Sequence, residues 1–170
     1  MRVAVTGTPG VGKTTAVEAL ETDLAVVHLN DLIREADLAA GRDSERDSLV
    51  VDDDAVANRL AGREGVLFES HLAHRYDADR VIVLRCHPDQ LTERLAERGM
   101  AADSIAENAE SEALDLVLSA AVERHGREAV YEIDTTDRSP AETAAAIGAA
   151  IDGQRAPSAG AVSFAEYLEP

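Results

Sequence analysis

A chain of 170 residues is long enough to bury the core of one α/β domain and too short for two comfortable ones. Its apolar 45% is carried by Ala, Val and Leu, with two Phe, three Tyr and no Trp, so the core is aliphatic. A formal net charge of −17 excludes a broad nucleic-acid-binding face, because phosphate backbones are repelled over most of such a surface.

Arg2–Thr6 is a short β-branched run that stops at a glycine-rich turn, and residues 14–21 then carry a helical pattern. Residues 26–29 read as a second strand, with Asn30 as N-cap of a helix to about Ala40 that sets Leu32, Ile33 and Ala36 on one face. Gly41 ends it. Residues 41–48 carry charge without period and read as a loop, after which Asp52-Asp53-Asp54 supplies the acidic start of a short helix to Leu60. Residues 65–69 and Arg80–Arg85 are continuous apolar runs of strand length, as central strands buried on both faces must be. Pro88 opens a helix to about Arg98 and Gly99 breaks it. One long helix follows over 104–124, with Ile105, Ala109, Leu116 and Ala120 on its inner face. Residues 129–133 make the fifth strand. Ser139-Pro140-Ala141-Glu142 combines an N-cap serine, a first-turn proline and a capping-box glutamate, starting a last helix that ends near Asp152-Gly153. The remaining 154–170, rich in Ala, Pro, Ser and Gly around Phe164 and Tyr167, predicts a mobile tail.

This alternation predicts an α/β fold: a five-stranded parallel sheet with helices on both faces and ligands at the carboxyl ends of the strands. No apolar run reaches the roughly 20 residues that span a bilayer, and the chain enters its first strand without a signal-like core. A cytoplasmic monomer with no membrane contact is expected. Cys86, the single cysteine, cannot form an internal disulfide, and its place beside a strand predicts a buried apolar thiol.

The run Gly7-Thr8-Pro9-Gly10-Val11-Gly12-Lys13-Thr14 meets the pattern G-x-x-x-x-G-K-[ST] in full, after a predicted strand and at the mouth of a predicted helix. Gly10 and Gly12 let successive N–H groups face phosphates, and the helix N-terminus adds its dipole. Lys13 then bridges the outer phosphates, the Thr14 hydroxyl reaches Mg²⁺, and Thr15 meets an inner phosphate. The motif predicts a P-loop NTPase fold that takes ATP and Mg²⁺. A guanine-specific GTPase needs an Asn-Lys-x-Asp element, and Lys13 is the one lysine in the chain. His71 and His74 lie three apart, but no third ligand is patterned around them, so a zinc site is not predicted.

Four further stretches accompany the loop: HLNDLIREADL from His28 to Leu38, Glu69-Ser70-His71, ERLAERG from Glu93 to Gly99, and Asn108-Ala109-Glu110-Ser111-Glu112. With them, residues 1–153 resemble the nucleoside-monophosphate kinases. They are most similar to the small adenylate-kinase-like family that joins adenylate kinase and ATPase activity to a role in small ribosomal subunit maturation. The resemblance implies a kinase domain over 1–153, a monophosphate-binding arm over 28–51 and a short lid over 97–107. It implies transfer of the γ-phosphoryl of ATP to AMP or another nucleoside monophosphate, with a basic small-subunit ribosomal protein and the pre-ribosome as partners. It places Asp31 and Arg34 at the monophosphate; the alternative for Arg34 is an exposed ion pair with Glu35 or Asp37. Arg98 would swing over the transferring phosphoryl group, its alternative being a helix C-terminal charge, and Arg94 is a second candidate one turn earlier. Asp137 and Arg138 fall where the family packs the adenine. The family carries aspartate where this chain has Glu69, whose extra methylene keeps the charge for Mg²⁺ or its water shell but changes its reach. His71 would position water or the γ-phosphate near Mg²⁺, against the alternative of a solvated loop histidine. Two other functions stay open: an ATP-driven assembly factor gripping a ribosomal protein, and a kinase of another small acceptor such as a sugar or acid.

Fifteen of the sixteen basic residues are arginine, and this excess of acid with almost no lysine resembles proteins of salt-loving microbes, a halophilic archaeon being the expected source. Molar salt screens the self-repulsion that such acidity causes. The melting temperature is therefore expected to rise as KCl approaches molar; a flat or falling curve in a thermal-shift series would contradict the salt adaptation.

Overall fold

The computed structural model describes residues 1–43 and 48–168. In chain order, β1 (Arg2–Thr6) leads through the glycine loop to α1 (Lys13–Glu18), and β2 (Ala25–His28) leads to α2 (Leu29–Glu35). A hairpin of β3 (Ala39–Asp43) and β4 (Ser48–Val51) precedes α3 (Asp53–Leu60) and β5 (Val66–Glu69). Then come β6 (Arg80–Arg85), α4 (Pro88–Glu97), α5 (Ala102–Ala113), α6 (Leu116–His125), β7 (Val130–Asp134) and α7 (Pro140–Ile151).

The main sheet has five strands in the order β2-β5-β1-β6-β7, and every neighbouring pair is parallel. This is the α/β fold the alternation implies. Strand periodicity sorts the apolar residues to the two faces. Val3, Val5, Ile82 and Leu84 meet Val17 of α1, Leu91 and Leu95 of α4, and Ile147 of α7. Ala4, Phe68, Val81 and Val83 meet Leu29 of α2, Val56 and Leu60 of α3, and Leu118 of α6. Each such Val, Leu, Ile or Phe side chain, buried in full, contributes roughly 1.5–3 kcal/mol. The chain leaves β1 toward β2 on one side and later reaches β6 on the other, so the sheet's order reverses beside β1 and opens a crevice at its carboxyl end.

The structure departs from the sequence expectations at the arm, at the long helix and at the tail. The helix expected to Ala40 ends at Glu35, because Asp37 adopts a left-handed φ of 51° and Asp52 N donates to Leu38 O at 3.0 Å, closing a hairpin. The span 41–48, read as a loop, belongs to that hairpin, with Gly41 opposite Val50 across an irregular register; its residues 44–47 lie outside the described residues.

The single helix expected over 104–124 is two helices, broken at Asp115 with φ 56°. There Arg85 Nη2 donates to Glu112 O at 3.0 Å and to the Asp115 carboxylate, so a tertiary ion cluster takes over groups that a continuous helix would use. Leu116, expected inside, is 53% exposed, while Ala109 is buried.

The tail expected to be mobile is docked. Ser158 N donates to Val130 O at 3.0 Å, and Phe164 is buried against the ring of His87. The capping box at Ser139 and Glu142 forms as the sequence implies, and Cys86 is buried, which pushes its thiol up. Among the described residues no helix is long and apolar enough to cross a membrane.

Candidate functional site

The glycine loop crosses the carboxyl end of β1 with φ of 141° at Gly7, 95° at Gly10 and 96° at Gly12, a region closed to most side chains. At Gly10 a Cβ would stand 2.7 Å from both Leu91 Cδ1 and Leu95 Cδ2, so glycine also lets the loop rest directly on α4. Thr135 Oγ1 lies 3.0 Å from Val11 O and ties the loop to the end of β7.

Lys13 is buried, and its Nζ donates to Gly7 O at 2.7 Å and Thr8 O at 3.0 Å. Burial pushes the ammonium down to about 8; Glu69 and Glu112 oppose that shift, and the positive Arg98 adds to it. One turn of phosphate oxygens placed at the loop would exchange those carbonyls for anionic acceptors and draw the lysine fully charged.

Thr14 Oγ1 donates to Glu69 Oε1 at 3.2 Å, and His28 Nδ1 lies 2.8 Å from the same oxygen. Parallel pairing of β2 with β5 sets His28 directly beside Glu69. The hydroxyl of Thr14 and the carboxylate of Glu69 are hard oxygen donors beside a phosphate-binding loop, the chemistry that Mg²⁺ selects when phosphates and water complete its shell. These residues fit the ion.

A cleft of about 510 Å³ opens from the loop, lined by Gly10, Gly12, Thr15, Arg94, Arg98 and Arg138 among others. Arg94 is held there by its Nη2, which donates to Gln90 Oε1 at 2.7 Å and Thr135 O at 3.3 Å. Asp137 is absent from the lining: with φ 55° it turns back to accept from Gln90 Nε2 at 2.8 Å, shaping the loop that presents Arg138.

Asp31 and Arg34 pair with each other at 3.3 Å on the exposed side of α2 and do not line this cleft. His71 is exposed in the turn after β5, and partial loss of water, then the charges of Lys13 and Arg75, pushes it down to about 4. It is neutral at neutral pH and near enough to Lys13 to sense it. His74, three residues on, is instead buried with Nδ1 at 2.9 Å from Thr6 Oγ1.

Three residues at the site were not singled out from the sequence, although His28 and Glu112 lie in stretches that carry the family resemblance. His28 could have been found by aligning the ends of the paired strands. Thr135 and the buried Glu112, whose Oε2 accepts from the Thr8 hydroxyl, meet the loop only through the fold.

Residues 3–115 match the family described as AAA domain. The chain is 67% identical over 168 residues to a protein of Natronomonas pharaonis named "Putative adenylate kinase", covering 99% of this chain and 100% of the relative. The chain belongs to this adenylate-kinase-like P-loop family. A like-named relative from Halobacterium salinarum is 59% identical over 99% of this chain and 100% of its own. One from Methanothermobacter thermautotrophicus is 43% identical over 98% of each. The kinase is thus a nucleotide-binding phosphotransferase with relatives in halophilic archaea.

Among solved structures it is similar to shikimate kinase from Bacteroides thetaiotaomicron, with TM-score 0.54 and 19% identity over 90% of this chain and 98% of that one. A sugar kinase from a Janibacter species gives TM-score 0.53 and 15% identity over 89% and 94%. At that identity the likeness is one of fold.

The lowered lysine predicts a pH signature for the binding of nucleotide phosphates, which ATP can report. Bound phosphate raises the Lys13 value, so affinity is full while the free kinase is protonated and declines once pH passes about 8. Titration of ATP between pH 7 and 9.5 is expected to show weakening that approaches about tenfold per pH unit above that point, and a level affinity would contradict the burial of Lys13.

Proposed function

We propose that the kinase transfers the γ-phosphoryl group of ATP to AMP, yielding two ADP. The observation that carries this reading is the convergence of Lys13, Arg94, Arg98 and Arg138 around one cleft and loop, with Thr14 and Glu69 at the loop's end. An oxygen of the AMP phosphate attacks the γ-phosphorus as the bond to the β,γ-bridging oxygen breaks, and the β-phosphate leaves with that oxygen. The acceptor is already anionic, so alignment and charge neutralisation are the kinase's work and no strong base is required. Arg98, at the C-terminal end of α4, reaches the transferring group, and Lys13 spans the outer phosphates. Thr14 and Glu69 would hold Mg²⁺, which would supply charge neutralisation for the phosphates. Arg138 faces the nucleotide end of the cleft, with Asp137 shaping its loop. Asp31 and Arg34, paired in this structure, engage the monophosphate once the arm over 28–51 closes.

A panel of monophosphates with ATP and Mg²⁺ tests this, ADP formation with AMP being the expected strong response; activity confined to a sugar or acid acceptor would overturn it. In the same assay Arg98→Ala is expected to lower kcat by about 100-fold or more with a much smaller change in ATP affinity. A loss confined to affinity would make Arg98 a ground-state binder.

A second reading, ATP hydrolysis coupled to release of a basic ribosomal protein during small-subunit maturation, is favoured by the charge of −17 and by the neutral His71 near Lys13. Attacking water must be held in line, whereas a bound monophosphate is aligned by its own contacts. His71→Ala is therefore expected to reduce hydrolysis at least several-fold more than ADP formation from ATP and AMP. Equal losses would give His71 a shared duty at the γ-phosphate, and no loss would leave it a solvated loop residue.

A further inference from the structure

Glu112 has the wrong charge for its neighbourhood. It is 2% exposed, sits 104 residues from the loop it touches, and offers a carboxylate on the underside of a site built for polyanions. Left to itself such a group would repel phosphate and bear the desolvation of a buried ion. Its contacts account for its presence. Oε2 accepts from the Thr8 hydroxyl, and Oε1 accepts from Arg85 Nε at 2.7 Å and Cys86 N at 3.1 Å. Thr8 O and Gly7 O are the carbonyls that hold Lys13 Nζ. Fixing the Thr8 side chain therefore fixes the part of the loop that aims the lysine.

The linkage does not stop at Glu112. Arg85, 1% exposed, spends its other donors on Glu112 O, the Asp115 carboxylate and Glu132 Oε1. Glu132, also 1% exposed, turns its second oxygen to the segment after α7, where N–H groups of Gly160, Ala161 and Val162 donate to Oε2 at 3.0, 2.8 and 3.1 Å. Three successive amides around one oxygen form a backbone nest for a carboxylate. Phe164 then lies over the Arg85 guanidinium, 5.4 Å from Cζ to the ring centroid. Buried ions of this kind hold together only while each stays paired.

We propose that Glu112 is a positioning residue of the phosphate loop, and that segment 158–164 is the outer end of the same buried chain, so that loosening the segment weakens ATP binding. The route runs from Phe164 and the amide nest through Glu132, Arg85 and Glu112 to Thr8. It rests on the loop's binding of ATP and is independent of the acceptor, so ATP affinity measured without acceptor separates its failure from failure of the kinase reading.

The test uses the full chain: equilibrium ATP titrations and melting temperatures for Glu112→Gln, Thr8→Val, the double variant, Thr8→Ser and Phe164→Ala. Glu112→Gln and Thr8→Val are each expected to weaken ATP about tenfold, the double variant little more than either alone, and Thr8→Ser is expected to restore near-native affinity by returning the hydroxyl. Phe164→Ala, away from the cleft, is expected to weaken ATP about threefold, with AMP affinity unchanged in every variant. Lower melting temperatures with ATP affinity intact would make the network structural and overturn the proposal. Multiplying losses in the double variant would break the Thr8–Glu112 link. If Glu112→Gln does not fold, the contrast of Thr8→Val with Thr8→Ser and the Phe164→Ala affinity still decide the matter.

Discussion

A buried ammonium must be held by something, and the way Lys13 is held organises this protein. Its Nζ rests on the carbonyls of Gly7 and Thr8, inside a loop whose positive φ angles only glycine adopts easily. Those carbonyls point inward because β1 stops where the sheet's order reverses, and because Leu91 and Leu95 of α4 press on the loop at Gly10. The cleft, the arginines on its walls and the oxygen pair of Thr14 and Glu69 are all placed relative to that one cation.

Charge is managed differently at the surface and beneath the loop. Outside, excess Asp and Glu leave the kinase strongly anionic, and exposed pairs such as Asp31 with Arg34 contribute little at these exposures. Beneath the loop, Arg85 gathers Glu112, Asp115 and Glu132 with almost no water around it. Burial disfavours the protonated form of Lys13, Glu69 and then Glu112 favour it, and the positive Arg98 adds to the burial. The lysine is thereby left between two fields, and arriving phosphate tips it toward full charge.

Domain economy follows from the same cluster. The segment after α7 supplies three amides to Glu132 and an aromatic cover to Arg85, so residues that read as a mobile tail complete the interior of a small domain. Breaking α5 from α6 at Asp115 serves the cluster too, since a continuous helix would carry that carboxylate away from Arg85.

Features that depend on neighbours in the chain were legible from the amino-acid sequence. The phosphate loop is specified by glycines and one lysine within eight residues, the five strands by apolar runs, and the last helix by its own serine, proline and glutamate. Features that depend on groups far apart in the chain were not. Arg85 reads as the polar end of an apolar strand, and nothing nearby reveals that its partners lie 27, 30 and 47 residues away. Glu112 reads as one acid on an acidic helix until Thr8 and Arg85 enclose it. The hairpin over β3 and β4 escaped because its first strand, Ala39–Asp43, carries no apolar alternation of its own and is extended through pairing with Ser48–Val51. Local chemistry thus determined that this chain binds nucleotide phosphates; which charges lie beneath the loop, and which distant segment steadies them, only the folded chain could decide, because burial and pairing of ions exist in three dimensions alone.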